Sequence, residues 1–215
     1  VYHLGMAESF APEVAAFVLA GGKSTRMGRD KAFVEFEGRT LLARALDVTR
    51  SVTPDVRIVG AAEKFSEKFS GKFAAFAPVV EDVFRDCGPL GGIHAALQAS
   101  SVELNLVLAV DTPFVPPSFL QFLIRRAQSV SNAAATVPRV AGRWEPLCAV
   151  YRRPFGEAAE SALRAARYKI DPLFAMVVTT AVEQEELEAA GFSPEIFRNL
   201  NTEKDLKSAQ EKAAS

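Results

Sequence analysis

The sequence predicts an α/β fold of three layers, with a mostly parallel sheet between two layers of helices. Three observations lead there. Short, unbroken apolar runs alternate with amphipathic stretches of helical period, the pattern of strands buried on both faces. Several of those runs stop abruptly at glycine or at an acid, as strands do where an α/β sheet delivers a ligand site. Hydrophobic residues make up 49% and charged residues 24% of the 215, a globular balance that sets aside disorder, collagen and coiled coil.

Taken in order, Val14–Leu19 is the first strand, apolar throughout and closed by Gly21-Gly22. A helix over Thr40–Val52 follows, with Leu41, Leu42, Ala45, Leu46 and Val48 on one side. Asp55–Val59 and Pro78–Val80 read as short strands, the second ending at Glu81-Asp82. Pro89–Ala99 opens with a proline, which suits the first turn of a helix. Leu104–Val110 is apolar except for Asn105 and is closed by Asp111. Ser118–Val130 reads as a helix with Ser118 as N-cap. Ala133–Pro138 and Leu147–Tyr151 are strands flanking a polar loop over Arg139–Glu145, and helices close the chain near Phe155–Ala166 and Glu203–Lys212. Residues 1–13 are expected to be a flexible leader and 14–215 a single domain, since no repeat or low-complexity linker divides the chain.

Composition excludes several functions. With 25 Lys+Arg against 26 Asp+Glu, nothing draws the chain to nucleic acid or to an anionic membrane. Val14–Ala20 is too short to span a bilayer. Cys87 and Cys148 cannot build a disulfide framework, so a reduced cytoplasmic setting is expected. His3 and His94 are the only histidines; one lies in the leader and one inside a helix, which leaves no His-based triad or metal cluster.

The chemistry concentrates at three strand ends: Leu19-Ala20-Gly21-Gly22, Glu81-Asp82 and Asp111. After the first, Lys23, Arg26, Arg29 and Lys31 gather positive charge around Gly21, Gly22 and Gly28. Glycines admit close approach of a ligand to backbone N–H groups, and the cations suit a polyphosphate. Spacing excludes both the P-loop, which needs a glycine where Phe17 stands, and the dinucleotide fingerprint, which does not have adjacent glycines. The plainer alternative is a tight turn carrying solvated charges. Asp111 likewise reads either as a metal ligand or as a turn aspartate before Thr112-Pro113.

The run from Leu19 to Lys31, LAGGKSTRMGRDK, resembles the signature of nucleotidyltransferases that make dinucleotide cofactors and activated sugars. With Gly88-Pro89-Leu90-Gly91-Gly92, Asp111-Thr112-Pro113-Phe114 and Asn199-Leu200-Asn201-Thr202 downstream, the chain most resembles the molybdenum cofactor guanylyltransferases, the MobA family, from about Val14 to Leu206. That resemblance implies a three-layer Rossmann-like nucleotidyltransferase fold and Mg²⁺-dependent transfer of GMP from GTP to the phosphate of Mo-molybdopterin. It implies nucleotide contacts at Leu19, Ala20, Gly21, Gly22, Lys31, Asp82 and Asp111, and metal held at Asp111. Arg26 and Lys31 would relieve charge on the phosphates, and Asn199 and Asn201 would face the second substrate. Upstream molybdenum-cofactor proteins would be transient partners, handing over an unstable pterin.

Other readings stay open beside this one. Cytidylyl transfer, a sugar-phosphate nucleotidyltransferase and a non-catalytic nucleotide sensor share parts of the pattern. CTP-using relatives resemble LAAG at the first loop, so the missing methyl at Gly21 leaves room for a purine. Gly60 stands where family members often carry an asparagine near the base. Asn199 and Asn201 share a face if their run is a strand, whereas Asn201 or Thr202 could instead cap the last helix. Trp144 is either a stacking platform for a flat pterin or a cap on the core. His94 reads as a core residue, Cys148 as inert packing, and nothing marks Cys87 as a nucleophile.

Overall fold

The computed structural model describes residues 13–21, 30–68 and 77–213. Strand β1 (Val14–Leu19) lies inside the sheet, parallel to β4 (Val56–Val59) on one side and to β6 (Leu104–Ala109) on the other. Beyond β4 runs β5 (Val79–Val80), also parallel. Beyond β6, β9 (Cys148–Tyr151) runs antiparallel and is followed by β7 (Ala135–Val140), which takes up the direction of β6 again. β10 (Thr179–Glu183) extends β7 in parallel. The order is therefore β10-β7-β9-β6-β1-β4-β5, with β8 (Arg143–Trp144) paired to β7.

Period two sorts the strand side chains between two cores. Ala16 and Val18 of β1 join the apolar faces of α1 (Leu41–Arg50) and α4 (Pro117–Gln128). Ala15 and Phe17 join α3 (Pro89–Gln98) and α5 (Arg153–Arg164) on the opposite face. A fully buried Phe17 contributes roughly 1.5–3 kcal/mol relative to an exposed one. Every residue of β6 is buried, Asn105 included. Its amide donates to the carbonyls of Val102 and Tyr151, each at 3.3 Å.

Several local expectations are corrected. Helix α4 starts at Pro117 with Pro116 as its N-cap residue, so Ser118 lies in the first turn and caps nothing. Proline fits the first helical position, where the missing N–H costs no hydrogen bond, and this outweighs the serine signal. The stretch 139–145 is a hairpin rather than a polar loop: Ala141 (φ 48°) and Gly142 (φ 75°) turn β7 into β8. Glu37 (φ 50°) and Gly38 (φ 74°) do the same between β2 (Glu35–Phe36) and β3 (Arg39–Thr40). Positive φ at both central residues is what a tight hairpin turn requires. The leader expected over 1–13 falls outside the described residues, save Glu13.

From β1 the chain crosses by α1 to β4 and then β5; from β5 it returns by α3 to β6, on the other side of β1. Where successive connections leave to opposite sides, a crevice opens beyond the carboxyl ends of the strands. Among the described residues no helix is long and apolar enough to cross a membrane.

Candidate active site

A cavity of about 550 Å³ occupies that crevice. It is floored by the strand-end residues Leu19-Ala20-Gly21, Val59-Gly60-Ala61, Glu81-Asp82 and Ala109-Val110-Asp111. The sheet ladder runs on into these ends. Ala20 N donates to Val59 O (2.9 Å), Gly60 N to Val80 O (3.0 Å) and Val110 N to Leu19 O (3.1 Å). Side-chain chemistry pointed to three of the four ends; the one at β4 carries glycine and alanine and was marked only by the family resemblance at Gly60. Gly88, Pro89 and Gly92 bring the amino end of α3, with its partial positive charge, to the same cavity.

Lys31 and Asp111 meet at the wall, and Asn201, from a distant part of the chain, bonds to Lys31 there. Lys31 opens a single 3-10 turn, Lys31–Phe33, whose first amides are held by Asp30: its carboxylate accepts from Ala32 N at 3.0 Å. The Lys31 ammonium donates to Asp111 Oδ2 at 2.9 Å and also to Asn201 Oδ1. Asp111 is fixed from behind, because its carbonyl accepts from Leu200 N at 2.9 Å. That bond sets the segment 199–201 beside the end of β6. The segment is not a strand, so the two asparagines do not share a face: Asn201 turns in to Lys31, while Asn199 is exposed and makes no side-chain hydrogen bond among the described residues. Capping falls instead to Thr202, which accepts from Asp205 N (3.1 Å) as Asp205 accepts from Thr202 N (2.8 Å) at the start of α7 (Glu203–Ala213).

Asp82 lies on the cavity wall with Oδ1 buried and without a hydrogen-bond partner. Burial pushes its carboxyl above the usual aspartate range. An orphaned acceptor here is an opening for a ligand that donates. Sequence reasoning missed Lys64, in α2 (Ala62–Lys68), whose ammonium donates to Ala20 O at 2.5 Å and pairs with Asp30 Oδ2 at 2.7 Å. Gly22 and Arg26 lie outside the described residues.

Comparison with known proteins puts this site in context. Residues 16–182 match the family model of the MobA-like NTP transferase domain. The chain belongs to the MobA-like NTP transferase family. It is 32% identical over 198 residues to a "probable molybdenum cofactor guanylyltransferase" of Pelotomaculum thermopropionicum, covering 92% of each chain. It is also 32% identical to the molybdenum cofactor guanylyltransferase of Desulfosudis oleivorans, over 92% of this chain and 94% of that one. Among solved structures it resembles the molybdopterin-guanine dinucleotide biosynthesis protein A of Archaeoglobus fulgidus, with a TM-score of 0.80 and 28% identity over 93% of this chain and 98% of that one. The expected fold and recognition both stand, and the chain is a nucleotidyltransferase.

The glycine at 60 fits tightly against a neighbouring ring. A Cβ there would lie 3.0 Å from Cε2 of Phe65, a fully buried ring. Trp144 packs on Phe174 at 4.8 Å between centroids, with Arg139 over its ring at 5.2 Å. His94 is buried on α3, its ring edge-on to Phe84 and neither nitrogen hydrogen-bonded. Burial holds its pKa below the ordinary histidine value; Glu160 raises it and Arg164 lowers it to a lesser extent. Cys148 is buried, and its thiol is pushed far above the ordinary value by burial first and Glu145 second.

Proposed function

We propose that this MobA-like transferase moves GMP from GTP to the terminal phosphate of Mo-molybdopterin, forming the guanine dinucleotide cofactor and releasing pyrophosphate. The observation that carries this reading is the pairing of Lys31 with Asp111 at one wall of a cavity, with Asn201 bonded to the same ammonium, while Asp82 on the same cavity keeps an oxygen without a partner among the described residues. An oxygen of the pterin phosphate attacks the α-phosphorus of GTP as the bond to the β-phosphate oxygen breaks. No general base is needed, because the nucleophile is already an anion at neutral pH. The barrier is repulsion between phosphates and their alignment in line.

Lys31 supplies fixed positive charge where that repulsion peaks, and Asp111 and Asn201 hold its ammonium in place. Arg26 is proposed to add a second cation from the sequence that follows Gly22. The main chain of Leu19, Ala20, Gly21 and Gly22 frames the nucleotide, and the amino end of α3 favours its negative charge. Asp82 Oδ1, an acceptor with no donor, suits the N–H groups on the edge of guanine. Asn199, exposed beside this wall, is proposed to meet the second substrate together with Asn201.

The donor set also fits Mg²⁺. Among the described residues no cluster of three or more His, Cys, Asp or Glu is present. Mg²⁺ is commonly held by one or two carboxylates with water and substrate phosphates completing six oxygens. Asp111 would hold it, and the ion would neutralise phosphate charge. We place the reaction in the cytoplasm, with a transient upstream protein delivering the pterin.

Thermal stability should be measured with GTP, CTP, ATP and UTP, each with and without Mg²⁺, followed by pyrophosphate release with the pterin present. A ligand at a hundred times its Kd adds about 2.7 kcal/mol, or several degrees at this chain length. Selective stabilisation by GTP with pterin-dependent pyrophosphate release is the expected result. A preference for CTP overturns the guanylyl assignment, and tight GTP binding without turnover identifies a sensor instead.

A further inference from the structure

We propose that Lys64, which itself lines the cavity, is a positioning residue that sets Lys31 in the site, an inference that rests on the role given to Lys31 above. Lys64 belongs to α2, the helix that follows β4, and only 18% of its side chain is exposed. Its ammonium has two acceptors that belong to different elements. One is the carbonyl of Ala20, the residue after β1, and the other is Oδ2 of Asp30.

Asp30 divides its carboxylate between two tasks. Oδ2 pairs with Lys64, and Oδ1 accepts from Ala32 N, forming the turn that begins at Lys31. A continuous path of charge-assisted bonds thus runs from the end of β1 through Lys64 and Asp30 to the turn, and on through the Lys31 ammonium to Asp111 at the end of β6. The two anchors, Ala20 and Asp111, stand at the ends of neighbouring strands, β1 and β6. Lys31 is therefore gripped from both sides: at its head by Asp111 and Asn201, and at its backbone through Asp30 by Lys64.

An ordinary surface ion pair involves two long, solvated side chains and little else. Here the lysine is four-fifths buried and satisfies a backbone carbonyl, and its partner is already committed to capping. Lys64 has no need to touch nucleotide for this role. A lysine is suited to it because a compact ammonium offers three donors in different directions.

Three variants separate positioning from mere support. Lys64→Met keeps the stem and removes the charge, Lys64→Arg restores the charge, and Asp30→Asn keeps an oxygen for Ala32 N while weakening the pair. Amide hydrogen exchange at Ala32, Phe33 and Val34 is read without nucleotide, and KM for GTP and kcat are read in the transfer assay. Lys64→Met should speed exchange at those amides by roughly tenfold, the loss of about one charge-assisted bond. It should also lower kcat/KM by between about tenfold and a hundredfold, as expected for a misplaced phosphate-facing group. Lys64→Arg should recover most of both, and combining Lys64→Met with Asp30→Asn should add little to either alone. Unchanged exchange in Lys64→Met overturns the proposal, as does faster exchange with unaltered kinetics, or additive losses in the double variant. Should the wild-type protein turn over no nucleoside triphosphate, the functional reading fails, and the exchange series alone decides whether Lys64 sets the turn.

Discussion

At the scale of single residues, Gly21 shows how little room separates a structural glycine from a functional one. Among the described residues, an added Cβ there would meet Gly60 Cα at 3.8 Å and Val59 O at 3.9 Å, both ordinary contacts. Those described neighbours therefore tolerate a methyl, and the larger penalty is expected to fall on a ligand. Gly21→Ala should leave ligand-free stability within about 0.5 kcal/mol of wild type while weakening GTP binding more than CTP binding. Calorimetric titration of both nucleotides checks this; equal loss for the two would remove Gly21 from base selection. The place of a residue at the cavity was legible where an acid closes a strand, as at Asp82 and Asp111, and, for Lys31, from the charge gathered after Gly21-Gly22. Lys64 was not, because a lysine in a short amphipathic helix looks the same whether its ammonium is solvated or buried against a carbonyl. Asn199 and Asn201 were read as sharing a face on a strand, which the backbone does not form; Thr202 takes the capping role, and Asn201 is the asparagine that turns to Lys31.

At the scale of elements, the strongest constraint on the site is the fit of α3 beneath the segment that carries Asp82. A Cβ on Gly91 would lie 2.8 Å from the carbonyl oxygen of Phe84, a backbone atom that cannot step aside, whereas one on Gly92 would meet Leu19 Cδ2 at 3.4 Å. Gly91→Ala should therefore cost about 1–3 kcal/mol and weaken nucleotide binding as well, by displacing the segment that carries Asp82. Gly92→Ala should be milder, since a leucine side chain can shift. Thermal midpoints and GTP titrations of the pair test the contrast, and equal effects would mean that the segment follows α3 without strain. Long apolar strands such as β1 and β6 were readable because burial on both faces admits few polar residues, Asn105 with its bonded amide being the one in these two strands. The hairpins were missed because they are written in turn residues: Glu37-Gly38 and Ala141-Gly142 announce themselves by backbone conformation rather than by hydrophobic pattern. β10, with a partly exposed face at the sheet edge, carried no run of apolar residues to find.

At the scale of the whole molecule, two buried groups pull stability in opposite directions with pH. His94 has a folded-state pKa below the ordinary 6.5, so the unfolded chain takes the proton first. The stability contributed by the neutral ring is complete above about 6.5 and is lost as pH falls from there toward the folded value. Asp82 has a folded-state pKa above the ordinary 3.8, so its contribution is present below that value and is lost as pH rises through the raised one. At neutral pH its unpartnered carboxylate is a standing cost of the ligand-free fold. His94→Leu should flatten the fall in thermal midpoint between about pH 7 and pH 5. Asp82→Asn should raise the midpoint at neutral pH while reducing the stabilisation gained from GTP. Curves parallel to wild type for both variants would place the pH sensitivity in other groups.

The bond between Leu200 and Asp111 also orders events in time. Lys31 and Asn201 are 170 residues apart in the chain, and Asp111 is held in place from behind by the segment that carries Asn201. A ribosome making this protein releases the β1, β4, β5 and β6 half of the sheet, with its cavity and most of its cations, long before residue 201 exists. During that interval Asp111 lacks the bond from Leu200 N, and Lys31 lacks the one to Asn201 Oδ1. Translation thus withholds the complete charge arrangement around Lys31 until the sheet is finished, so a stalled or shortened chain ending before Leu200 lacks the arrangement that the full-length protein carries.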